Sequence, residues 1–186
     1  MEESNNRNPH VSVRELCWMA LCAAVIAVCS WISLPAAVPY TLQTFAVFCT
    51  LLLLGGRNGS LAIGVYILLG AAGLPVFSGF RGGIGVLLGT TGGYIAGFLL
   101  TALVYRLSEK LPDHRLPVRI AALLVGLLVC YAFGTAWFMV VYTRSKSAIT
   151  LGSALTLCVL PFVLPDLLKL ALAVTVSERM KKSIPA

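Results

Sequence analysis

Long apolar runs almost free of charge constrain this chain more than any other feature. In segment 119–142 no charged residue follows Arg119, and segment 149–176 holds only Asp166 and Lys169. Such runs match the roughly 20 residues a helix needs to cross the hydrocarbon core of a bilayer. Of 186 residues, 59% are hydrophobic and 11% charged, against about 25% charged in ordinary soluble domains. A soluble globule of this size cannot hide that much apolar surface, and a disordered chain would not carry it. A transmembrane barrel would need polar and apolar residues to alternate along ten-residue strands, which these runs do not do. The fold class is therefore all-α: a polytopic integral membrane protein, expected in the cell's inner (plasma) membrane.

Six spans are predicted, over 13–34, 42–56, 60–72, 91–107, 119–142 and 149–176. Residues 1–12 read as a flexible polar arm, 13–178 as the six-helix membrane domain and 179–186 as a basic tail. Ser12 is placed to cap the first helix, with Glu15 at the capping-box position. That helix has no usual cleavage site before Pro35 and reads as a retained span. Pro35 and Pro39 bracket a turn, and 55–59 (GGRNG) reads as another. The spans of 42–56 and 60–72 are short, which implies tilt or a locally thin protein.

Charge orients the set. With the N-terminus inside, the cytoplasmic side holds Arg7, Arg14, Arg57, Arg106, Lys110, Arg115, Arg119, Arg179, Lys181 and Lys182, and the outer side only Arg81, Arg144 and Lys146. This bias follows the positive-inside rule and puts both termini in the cytoplasm. It also accounts for the net charge of +7 without nucleic acid, since basic loops face the anionic inner leaflet. The six cysteines form no CxxC pair, and nearly all lie in apolar runs, where they act as small hydrophobes. The two histidines, His10 and His114, sit in polar segments. No metal site, catalytic residue or cofactor is expected, and an enzyme reading has little to stand on.

Four features carry chemistry. Asp166 and Lys169 are the ionisable residues deep in 161–173 (PFVLPDLLKLALA), three apart and so on one helix face. Each charge at a bilayer centre costs roughly 2.5–3.5 kcal/mol, which points to a polar ligand, or else to a mutual ion pair that only neutralises both. Pro161 and Pro165 disturb the helix just before them and free carbonyls for a polar cavity. Next, 73–93 holds eight glycines. Gly82, Gly83 and the lone charge of Arg81 suggest a lid or wall over a small-molecule site, while the spacing of Gly89, Gly93 and Gly97 in the C-terminal part of the stretch fits helix packing. Then Thr41 and Gln43, in 39–44 (PYTLQT), either cap a span or bond a polar ring. Finally Ala20/Ala24 and Ala23/Ala27 form a small-residue stripe on the first helix, suited to an outside partner or to packing within the bundle.

Taken in order, PVPYTLQTFAV, GLPVF, GTTGGYIAGF and PDLLK resemble the BioY family, the biotin-specific substrate-binding (S) components of energy-coupling-factor vitamin transporters. The resemblance spans roughly 13–180. It departs from the usual pattern at Thr90, where the family carries proline, and at Val163-Leu164 before Pro165-Asp166, where the family often has Pro-Gly-Asp. The resemblance implies an S-component bundle of six helices with biotin bound near the extracytoplasmic side. It also implies a transmembrane coupling protein and ATPase subunits as partners, so that ATP enters only through them, and it makes the alanine stripe a docking face. Asp166 would then accept from a ureido N–H. Lys169 would hold the carboxylate, or pair with Asp166 and donate to the ureido carbonyl. Arg81 would close over the carboxylate, and Phe77, Tyr94 and Phe162 would form apolar walls. The alternatives are another small vitamin on the same fold, or a membrane scaffold in which Asp166 and Lys169 are a structural pair.

Overall fold

The fold comes from a computed structural model, which describes residues 12–34, 38–112, 115–145 and 149–183. It is mostly helical, in the order α1 (Val13–Trp31), β1 (Ser33–Leu34), β2 (Tyr40–Thr41), α2 (Gln43–Ala71), α3 (Ile84–Leu87), α4 (Gly92–Ser108), α5 (Leu116–Ser145), α6 (Leu151–Cys158) and α7 (Leu160–Ser183). The arm over 1–11, Pro35, His114, Lys146 and the end of the tail lie outside the described residues. Four helical stretches are long and apolar enough to cross a membrane: α1, α2, α5, and α6 with α7 taken together. The shorter α4 is apolar as well.

Helix α1 begins as its sequence dictates. Ser12 accepts from the Glu15 N–H, and the Glu15 carboxylate accepts from the Ser12 N–H at 2.9 Å, a complete capping box. Helix α2 is not one rod. At 1.5 Å per residue, Gln43 and Tyr66 would stand about 35 Å apart in a straight helix, yet Gln43 Nε2 donates to Tyr66 Oη at 2.8 Å. The reversal falls on Gly55, with φ 75° and ψ 178°, a left-handed conformation that glycine adopts without a Cβ penalty. The turn expected over 55–59 is thus a single residue, and Arg57, Asn58 and Gly59 already belong to the second arm. Gly56 lies against the α4 backbone, where a Cβ would come within 2.5 Å of Arg106 Cα. The Glu109 carboxylate accepts the Gly56 N–H at 2.7 Å, which satisfies an orphan donor at the start of the second arm and places negative charge where the helix dipole favours it.

The folded α2 is the centre of the bundle and packs against α1, α4 and α7. Helix α4 packs along α5, and glycines let the two backbones approach. A Cβ at Gly93 would stand 2.3 Å from Trp137 Cβ, at Gly97 2.6 Å from Cys130 Sγ, and at Gly134 2.3 Å from the Tyr94 ring. The packing role read for Gly93 and Gly97 is therefore what the geometry provides. Gly97→Leu is expected to lower stability by about 2 kcal/mol or more through overpacking, read as an earlier melting transition of the detergent-purified protein. An unchanged melting temperature would contradict this close approach.

The last helical stretch breaks at Val159 (φ −125°, ψ −60°). Pro161 therefore falls in the first turn of α7, where proline is tolerated, and Pro165 lies inside the helix. Helix α7 continues to Ser183, through the start of the expected basic tail. Its inner face carries Phe162, Asp166, Lys169, Leu170 and Ala173, while Leu160, Leu164, Leu168 and Leu172 are exposed every fourth residue, the pattern of a helix with one face in the bundle and one in lipid. The all-α expectation holds except for a two-stranded antiparallel ladder, Ser33 with Thr41 and Leu34 with Tyr40.

Candidate ligand-binding site

The site is built from the ends of several elements. After α2 the chain makes a tight hairpin in which Phe77 and Arg81 exchange backbone hydrogen bonds at 2.9 and 3.3 Å. Gly79 and Phe80 turn it with positive φ. Phe80 stacks on Trp31 at 4.9 Å, Trp31 Nε1 donates to the Pro75 carbonyl at 2.8 Å, and Ser30 and Tyr66 both donate to the Val76 carbonyl. Phe77 is buried beside Gly70, where any Cβ would clash with its ring. The hairpin is thus fixed to α1 and α2. On the far side, Trp137 Nε1 donates to the Gly89 carbonyl at 2.9 Å, which ties the α3 turn to α5.

Under this cover lies a cavity of about 700 Å³, part of it open to the outside. Its walls are mainly apolar and aromatic. Phe162 lines it, backed by Tyr40 stacked at 4.2 Å, and Tyr94 lines it with its hydroxyl 3.0 Å from Thr135 Oγ1. The polar end is an acid-centred cluster. Lys169 Nζ donates to Asp166 Oδ1 at 2.7 Å, Thr44 Oγ1 donates to the same oxygen at 3.2 Å, and Tyr131 Oη donates to Oδ2 at 2.6 Å. Asp166 is 3% exposed and Lys169 9%, so water contributes little and these charge-assisted bonds act in a low dielectric.

Of the residues expected from sequence, Asp166, Lys169, Arg81, Gln43, Thr41, Tyr94, Phe77 and Phe162 all line this cavity. Gln43 spends its amide N–H on Tyr66, and Arg81 folds back so that Nε donates to the Ser78 carbonyl at 3.1 Å. Gly82 and Gly83 do not line it. A Cβ at Gly82 would stand 2.3 Å from the Leu74 carbonyl oxygen, and Gly83 has φ 93° at the start of α3, so both shape the cover. The alanine stripe divides, with Ala23 and Ala27 in the core and Ala20 and Ala24 exposed. Sequence reading missed Thr44 and Tyr131 as partners of Asp166, and Cys130 and Cys158 as cavity walls. Thr44 stood in the 39–44 motif and was available. Tyr131 gave no signal, being one aromatic inside a uniformly apolar span.

Known proteins resemble the chain over most of its length. A biotin transporter BioY from Thermotoga maritima is 41% identical over 172 residues, covering 91% of this chain and 97% of its own length. A probable biotin transporter BioY from Pyrococcus horikoshii is 39% identical over 172 residues, covering 92% of this chain and 98% of its own. The crystal structure of the S-component for biotin from an ECF-type ABC transporter superposes with a TM-score of 0.79 at 26% identity, covering 91% of this chain and 92% of that one. Residues 2–186 match the BioY family as a whole, and the chain belongs to that family.

Proposed function

We propose that the chain is the biotin-binding, substrate-specificity subunit of a vitamin uptake transporter in the inner (plasma) membrane. It captures biotin from the extracytoplasmic side and delivers it inward with an ATP-driven module, a transmembrane coupling protein with ATPase subunits. The observation that carries this reading is the buried Asp166–Lys169 pair in the wall of an otherwise apolar cavity. A carboxylate offers about four lone-pair sites. Lys169, Thr44 and Tyr131 occupy three at Asp166, which leaves one for a ureido N–H. Lys169 has three N–H donors, one of them on Asp166, and a second donates to the ureido carbonyl. Acid and amine then act together on the head of the vitamin. The carboxylate tail falls to Arg81, with Thr41 and Gln43 as secondary polar contacts.

The loop-free reversal of α2 supports six crossings: α1, the two arms of α2, α4, α5, and α6 with α7. An even number puts both termini on one side, the cytoplasmic side by the charge bias. On α1, Ala20 and Ala24 are the pair left exposed for the coupling protein. Calorimetry and thermal shift on detergent-purified protein with biotin, thiamine and riboflavin test the assignment. Biotin is expected to bind and to stabilise the fold, by about 2.7 kcal/mol at a hundredfold excess over Kd. No response to biotin, or an equal response to thiamine or riboflavin, overturns it.

A further inference from the structure

The inner cavity has a neighbour. A second cavity, about 560 Å³ with the open solvent at its mouth included, shares Pro39, Arg81, Val86 and Thr91 with it and is completed on its far side by Gly85, Gly89 and Thr90. The two are adjoining chambers with Arg81 in the common wall. Asp166 and Lys169 line only the inner one.

We propose that the outer chamber receives a polar extension on the carboxyl end of the ligand. The protein then takes amides of biotin, such as biotin joined through its carboxyl group to the ε-amine of lysine, as well as the free acid. This rests on the biotin reading above. With the ureido head held by Asp166 and Lys169, the acyl chain runs toward Arg81 and ends at the shared wall. Arg81 commits only Nε, to the Ser78 carbonyl, and its terminal amino groups have no partner among the described residues. They can donate to a carboxylate or to an amide carbonyl, since both present an oxygen acceptor there. The amide loses the charge-assisted part of that bond, and the attached lysine carries a carboxylate and an ammonium of its own into the outer chamber.

The outer chamber suits such a tail. No acidic residue lines it, and the Thr90 and Thr91 hydroxyls have no hydrogen-bond partner among the described residues, so they are free to bond. Gly85 is exposed and a Cβ there would meet nothing within 4 Å, so the chamber is open on that side. A site that recognised only a free carboxylate would enclose it, as buried polar specificity requires. Here the wall behind Arg81 opens into further polar space instead.

The test is competition binding on the purified full chain with biotin and its ε-lysyl amide, in the wild type and in Gly85→Phe. The amide is expected to bind the wild type within about tenfold of biotin, a difference near 1.4 kcal/mol. Gly85→Phe fills the outer chamber, so it should weaken the amide by more than about tenfold and leave biotin within about threefold. Thr90→Phe serves the same purpose from another wall if Gly85→Phe does not fold. Tight biotin binding with amide binding about a thousandfold weaker overturns the inference and leaves the biotin reading intact. Equal losses for both ligands in the filled variants also overturn it. Failure of biotin itself to bind the wild type overturns the biotin reading and the inference with it.

Discussion

Asp166→Asn is expected to weaken biotin binding by at least about a hundredfold, or 2.7 kcal/mol. The substitution is nearly isosteric, but it exchanges one acceptor oxygen for a donor and removes the charge that Lys169 Nζ meets at 2.7 Å. In the proposed site the ureido N–H loses its charged acceptor, and Lys169 is left as an uncompensated buried cation. Breaking such a pair from one side costs on the order of 3–5 kcal/mol in stability, so a binding loss alone does not separate a ligand site from a structural pair. The double variant Asp166→Leu/Lys169→Met does. It removes both charges and keeps the volume, and buried pairs replaced in this way are often neutral or stabilising. Melting temperature is expected to recover relative to Asp166→Asn while biotin binding stays at least as weak as in that variant. If the double variant bound biotin like the wild type, the pair would be structural and the ureido assignment wrong.

Arg119→Met is expected to destabilise the fold by about 2 kcal/mol while leaving biotin affinity within about threefold. Arg119 enters from the start of α5 and joins three other helices. Nη2 donates to the Leu52 carbonyl at 2.7 Å, Nε to Tyr105 Oη at 2.9 Å, and Nη1 meets Glu178 Oε1 at 3.4 Å. The Leu52 carbonyl needs this donor because the first arm of α2 ends at Gly55, and terminal carbonyls of a helix lack intrahelical partners. Arg119 is partly accessible, with 20% of its side-chain surface exposed, which discounts the charge contribution and leaves the lost hydrogen bonds as the main effect. Tyr131 on α5 and Asp166 on α7 each lie twelve residues, or about 18 Å, from Arg119 and Glu178, so the ligand end is remote. Arg119→Lys should restore less than half of the lost stability, since a point charge cannot serve three divergent acceptors. A drop in biotin affinity larger than the drop in stability would show that this end of the bundle does more than hold helices together.

What could be read from the sequence was local. The Ser12 cap, the limits of α4 within a residue or so, and the shared face of Asp166 and Lys169 follow from spacing along one helix. What was missed depends on distant chain. Tyr131 reaches Asp166 across 35 positions, and nothing near it distinguishes it from other aromatics in a span. Thr41, Gln43 and Thr44 are equivalent polar residues in the sequence, but helix rotation turns the Gln43 amide N–H to Tyr66 and brings Thr44 to the acid. Gly82 and Gly83 sit in the cover of the cavity, and what holds them there, backbone crowding and φ, is not something composition separates from ligand contact. Ala23 and Ala27 differ from Ala20 and Ala24 only in which side of α1 meets the bundle.

The one-residue reversal at Gly55 bears on how the protein is made. Its arms, 43–54 and 56–71, are each shorter than the roughly 20 residues that let a helix enter the bilayer alone. Neither can be released from the translocation machinery as a finished span. In the six-crossing arrangement proposed above, the two leave it as a joined pair, so this part of the chain is committed to the membrane only after the ribosome has produced the second arm.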